Sequence, residues 1–121
     1  MSSNPNIRDE ASSDAILASR YFREGDREAM DELVKRHAGA AYRLAFTDIE
    51  NAADAEEIVQ TAFLKVLLHE AKETDNVRGW IMKIVVNTCH DKMKEEARRR
   101  SRQKAVAFEL TATEAPDDEK Q

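Results

Sequence analysis

The chain has 121 residues, 41% apolar and 36% charged, with 19 basic against 24 acidic side chains and a formal net charge of −5. That length supports one modest core and leaves no room for a second domain. The net negative charge argues against a self-sufficient DNA binder and for protein contacts first. A single cysteine, Cys89, excludes an intramolecular disulfide and fits a reducing cytoplasm, while neither an apolar leader nor a run of about 18 apolar residues predicts export or membrane insertion.

Residues 1–12 read as a disordered lead. Ser12 or Ser13 is placed to cap a short helix carrying Ile16, Leu17, Tyr21 and Phe22, which Gly25 closes. Asp26 then caps a long helix in which Met30, Leu33, Val34, His37, Ala40, Ala41, Leu44 and Ala45 keep a helical period, ending near residues 47–51. Asn51 caps the next helix, with Asp54, Glu56 and Glu57 at the positive end of its dipole. In that helix Ala55, Ile58, Val59, Ala62, Phe63, Val66 and Leu67 form the core stripe. Asp54, Glu57, Gln60 and Thr61 fall on the opposite face together with Leu64 and Leu68. Two leucines on a polar face are what a helix shows when another protein covers it.

A polar stretch over 70–76 interrupts the pattern, and Asp75 or Asn76 can cap a last helix whose buried side is Val77, Trp80, Ile81, Ile84, Val85 and Thr88. Lys83, Asn87, His90 and Lys94, spaced four, three and four apart, line its other side, a stripe suited to phosphates and base edges. Periodicity fades after Arg102, so residues 103–121 read as a linker or disordered acidic tail after a helical domain over 13–102. With no strand pattern, the expected fold is all-α, a compact bundle of three long helices plus a short N-terminal one. Charge is segregated along it. Residues 48–76 hold eight acidic against two basic side chains, and residues 92–104 hold seven basic against two acidic.

Enzymatic chemistry is not expected. His37, His69 and His90 lie on separate elements, Cys89 has no CxxC partner, and His69-Glu70 lacks the second histidine of a zincin motif. Residues 48–57 are acidic but lack the spacing of a calcium loop, and no phosphate-binding glycine loop occurs. Neither a cofactor nor a metal is expected.

The run from Asp54 to Val66, DAEEIVQTAFLKV, resembles the second conserved segment of region 2 in extracytoplasmic-function sigma factors. Trp80 to Asn87, WIMKIVVN, with Asp91, is similar to that family's promoter-melting and −10-recognition helix, and Leu33–His37 through Ala41–Ala45 to its first long helix. The resemblance covers about residues 20–100, in order, and three collinear segments are more specific than one. It implies a non-enzymatic transcription-initiation domain working with RNA polymerase in the cytoplasm. It also implies docking on the clamp helices of the largest polymerase subunit through Asp54, Glu57, Gln60, Thr61, Leu64 and Leu68, although Thr61 departs from the acid commonly found there.

By the same resemblance, the loop Lys72, Glu73, Thr74, Asp75 and Asn76 would capture a flipped base of the −10 non-template strand. Arg78, Lys83, Asn87, His90 and Lys94 are candidate strand contacts, with Arg98 and Arg99 continuing toward duplex phosphates. Asn87 has an equal claim as a structural hydrogen-bonder, and Trp80 is assigned to the core rather than to base stacking. Glu95 and Glu96, where the family is commonly arginine-rich, weaken the local field or pair with the arginines three and four residues on. An anti-sigma factor is an expected partner. The tail composition reads as the start of an interdomain linker, so the chain is expected to be a fragment without the family's region 4, with a naturally short protein as the alternative. The alternative reading is a sigma-like decoy that binds an anti-sigma factor and regulates by partner exchange.

Overall fold

The computed structural model describes residues 5–69 and 76–114, and side chains from 13 to 69 and 76 to 111. Its elements are four helices: α1 Pro5–Glu24, α2 Arg27–Ile49, α3 Ala52–Leu68 and α4 Val77–Glu114. The fold is all-α. The chain divides into two units, Met1–Cys89 and His90–Gln121, with α4 contributing to both.

In the first unit, local chemistry sets the helix ends. Gly25, at φ 73°, stops α1, its N–H returning to the Tyr21 carbonyl at 2.9 Å. A residue without Cβ takes this left-handed turn at little cost. Asp26 caps α2 as the sequence predicts, accepting from the N–H groups of Glu28 and Ala29. Asn51 caps α3 by accepting from the Asp54 N–H at 2.9 Å, and Asn76, not Asp75, caps α4 by accepting from the Gly79 N–H at 2.9 Å. Each side-chain oxygen satisfies helix-start donors that would otherwise lack a partner.

The apolar periods then meet. Met30, Leu33, Ala41 and Ala45 of α2 pack with Ala55, Ile58, Ala62, Phe63 and Val66 of α3 and with Val77, Ile81, Val85 and Cys89 of α4 in one buried cluster. Alanines at 41, 45, 55 and 62, all fully buried, let the helix backbones approach closely. Tyr21 ties α1 to α3 by donating its hydroxyl to the Leu67 carbonyl at 3.1 Å. Trp80 is half-buried, edge-on to Phe22 at 5.9 Å and to His69 at 5.3 Å between ring centroids, in keeping with its assignment to the core.

Two expectations about α1 change. The helix begins at Pro5, so residues 5–12 are helical rather than part of a disordered lead, and Ser12 and Ser13 lie inside the helix rather than capping it; proline is suited to a first helical position because it has no N–H to satisfy. Ile16 is 54% exposed, and the buried positions of α1 are Asp14 and Ala18. An acid turns inward there because α2 supplies its partners, as described below.

The second unit is helical through Glu114, past the Arg102 limit that the fading periodicity predicts. Residues 101–111 are all exposed, including Val106, Phe108 and Leu110, so no buried stripe was required to make them helical. Helix formers such as Ala, Arg, Lys, Gln, Glu and Leu dominate here, and propensity alone carries no period. Among the described residues no helix is long and apolar enough to cross a membrane.

Cys89 is fully buried, and burial pushes its thiol pKa up, with the negative charge of Asp48 adding to the rise. The thiolate is the reactive form, so the folded chain is expected to resist iodoacetamide at neutral pH and to label at once in denaturant. Rapid labelling of the native protein, followed by mass spectrometry, would contradict this packing.

Candidate polymerase and promoter interfaces

The face of α3 opposite the core carries the residues singled out for partner contact. Glu57 and Gln60 are exposed and Asp54 and Thr61 are half-buried. Leu64 is 57% exposed and Leu68 83%, in a helix whose other large apolar side chains are wholly or partly buried. Most of the water-exposed apolar surface of α3 is therefore on the acidic side, the arrangement of a contact patch with a charged rim. Beside it, Ala38, Gly39, Tyr42 and Arg43 of α2 and Glu56, Val59 and Gln60 of α3 line an open groove of about 500 Å³. Tyr42 stacks on the 41%-exposed Phe46 at 6.1 Å, extending apolar surface along the same side of α2.

Of the predicted specificity loop only Asn76 is described; Lys72, Glu73, Thr74 and Asp75 lie outside the described residues. Asn76 has a structural task as the α4 cap. In the first unit Lys83 and Asn87 are exposed. Arg78 is exposed as well, but its Nη1 reaches Nδ1 of His37 at 3.2 Å. On the inner side of α4, Thr88 is held by donating to the Ile84 carbonyl at 2.7 Å and by accepting from Nζ of Lys65 at 3.0 Å.

In the second unit His90 and Lys94 are exposed. The basic run is partly neutralised: Arg98 and Arg102 lie 3.1 and 3.6 Å from the Glu95 carboxylate, while Lys92 and Arg99 lie 3.5 and 3.7 Å from that of Glu96. Both glutamates thus act as helical pair-formers. Surface pairs of this kind are worth at most about 1 kcal/mol.

One cluster escaped the sequence reading. Asp14, 2% exposed, accepts from Arg36 Nη1 at 2.9 Å through Oδ1 and meets Nε2 of the fully buried His37 at 2.9 Å through Oδ2. Arg36 also donates to Glu32 at 3.2 Å, and its pKa stands above the ordinary value chiefly because of the hydrogen bond to Asp14, with burial opposing. Among the described residues no buried side-chain nitrogen or oxygen lacks a partner, and no group of three His, Cys, Asp or Glu residues is arranged to hold a metal ion. The available signal was an acid spaced four residues from Ala18 on α1 and a histidine inside the α2 apolar stripe.

An all-helical unit exposes two leucines among acidic and amide side chains on α3 and a basic and amide stripe on α4, and the comparisons identify its family. The family model for Sigma-70 region 2 matches residues 33–101, more than half of the chain. Among curated relatives, the ECF RNA polymerase sigma factor SigE of Mycolicibacterium smegmatis is 31% identical over 99 residues, covering 78% of this chain and 38% of its own length. The ECF RNA polymerase sigma factor SigM of Mycobacterium tuberculosis is 33% identical over 91 residues, 72% of this chain and 44% of its own. RNA polymerase sigma factor CarQ of Myxococcus xanthus is 27% identical over 99 residues, 80% and 57%. The chain belongs to the extracytoplasmic-function sigma factors of the sigma-70 family, through their region 2. It spans between about two fifths and three fifths of the length of these relatives. No solved structure matches it significantly.

Proposed function

We propose that this chain is the part of a sigma factor that docks on the clamp helices of core RNA polymerase and recognises and melts the promoter −10 element, leaving the chemistry to the polymerase. The observation that carries the docking half is Leu64 and Leu68 standing exposed among Glu57 and Gln60 on α3. Two apolar anchors inside an acidic rim fit a basic coiled coil: the rim steers encounter and the leucines supply buried area. Strand contact is assigned to Arg78, Lys83 and Asn87 in the first unit and to His90 and Lys94 in the second, with Arg98 and Arg99 assigned to duplex phosphates. Residues 72–76 are assigned to hold an extruded base, which offsets a few kcal/mol of unstacking with phosphate contacts.

Salt dependence follows from the same assignment. Each phosphate contact with a single strand contributes a slope of about −0.7 in log K against log salt. The glutamate pairing of Arg98, Arg99 and Arg102 supports a second reading, a decoy that titrates an anti-sigma factor through the α3 face and never engages promoter DNA. Binding of the chain to core polymerase and to isolated clamp helices, at two salt concentrations, separates the readings. Tight binding that weakens with salt supports the sigma role. Failure to bind either target, with capture by an anti-sigma factor, supports the decoy.

A further inference from the structure

Asp14, His37 and Arg78 form a continuous polar path from α1 through the buried side of α2 to the first turn of α4. The donors and acceptors along it are fixed by chemistry. A guanidinium can only donate, so Nδ1 of His37 accepts from Arg78, and the proton of the neutral ring therefore sits on Nε2, where the Asp14 carboxylate receives it. Asp14 in turn is balanced by Arg36, which keeps a charge in its buried position paired. His37 thus contacts Asp14 from α1 and Arg78 from α4, while Arg36 of its own helix pairs with Asp14.

We infer that His37 is a positioning residue for promoter recognition: with its tautomer set by Asp14, it holds the exposed Arg78 guanidinium at the start of α4 in the orientation that meets a strand phosphate. The inference rests on the proposed −10 reading and deepens it. One N–H of Arg78 is committed to His37, and the guanidinium has others to offer an anion. An arginine swinging on four rotatable bonds loses side-chain entropy when it is fixed on a phosphate; one already tethered loses less. Nothing in a histidine inside an apolar stripe would suggest this task, because its effect passes through a residue 41 positions away.

The test uses the complex of the chain with core RNA polymerase and a fluorescent single-stranded −10 non-template oligonucleotide. Arg78→Ala removes the contact itself. His37→Gln keeps a donor where Nε2 met Asp14 but removes the acceptor that Nδ1 offered Arg78, whereas His37→Asn keeps an acceptor near the Nδ1 position. The expected result is about a tenfold loss for Arg78→Ala and for His37→Gln, no further loss when the two are combined, and near wild-type affinity for His37→Asn. The salt slope should become shallower by about 0.7 in both weakened variants, which a loss of general stability would not produce. Equal losses in His37→Gln and His37→Asn, or additive losses in the double variant, overturn the positioning role while leaving the −10 reading intact. An Arg78→Ala variant that binds normally overturns the role by removing the contact it serves. Failure of the wild-type complex to bind the oligonucleotide, with core binding preserved, overturns the −10 reading itself and the positioning role with it.

Discussion

A Glu57→Arg, Leu64→Ala variant is expected to lose core polymerase affinity by more than about a hundredfold while unfolding at nearly the same temperature as the wild type. Both positions are exposed, Leu64 at 57%, so neither change opens a cavity. Removing a leucine that becomes buried at an interface forfeits anchor area, with hot-spot truncations costing about 2 kcal/mol or more. Reversing the charge of Glu57 sets like charge against the basic partner that the proposal requires and slows encounter as well. The two effects separate kinetically: Leu64→Ala alone should act on dissociation, and Glu57→Arg alone on association and its salt dependence. Surface plasmon resonance with immobilised clamp helices reads both rates. An unchanged affinity in the double variant would move the docking site off this face of α3.

Ile81→Ala is expected to cost about 2–5 kcal/mol, against a total of about 5–15 kcal/mol for a domain of ordinary stability. Ile81 is fully buried between Val77 and Val85 along the inner stripe of α4, so its truncation combines lost transfer energy with a cavity in the buried cluster. Leu68→Ala is the control: at 83% exposure it should change stability by no more than about 0.5 kcal/mol. Urea denaturation followed by circular dichroism gives both numbers. Near-equal midpoints for the two variants would mean that α4 does not pack as described.

The core was legible because α2, α3 and the first part of α4 repeat apolar residues at three- and four-residue steps, and a helix that obeys that period has one way to bury them. Asn51 and Asp26 were legible for a similar reason, since a short polar side chain directly before an apolar period has few other uses. Asp14 and Ile16 went the other way. Taken alone, an acid on α1 reads as solvated and an isoleucine as buried, and only the arrival of Arg36 and His37 from the next helix inverts the two. Pattern also fails where burial does not decide the conformation. The exposed stretch 101–111 is helical through composition and local pairing, and neither leaves a period to read.

The exposure of Leu64 and Leu68 on α3 was legible from their place on a polar face, whereas the partner proposed for them comes from the resemblance and not from these residues. Arg78 shows the same division. The resemblance marked it as a candidate strand contact, while its tether to His37 depends on a distance of 3.2 Å that no spacing in the sequence encodes.

Promoter reading by the docked chain is tested most directly by the anisotropy of a labelled −10 non-template oligonucleotide with core RNA polymerase, titrated with and without the protein. The account predicts that the chain converts core from a non-binder to a binder of that strand, that the complementary template strand is not captured, and that Glu57→Arg, Leu64→Ala abolishes the effect. Core polymerase that binds the chain tightly and still ignores the oligonucleotide would contradict it.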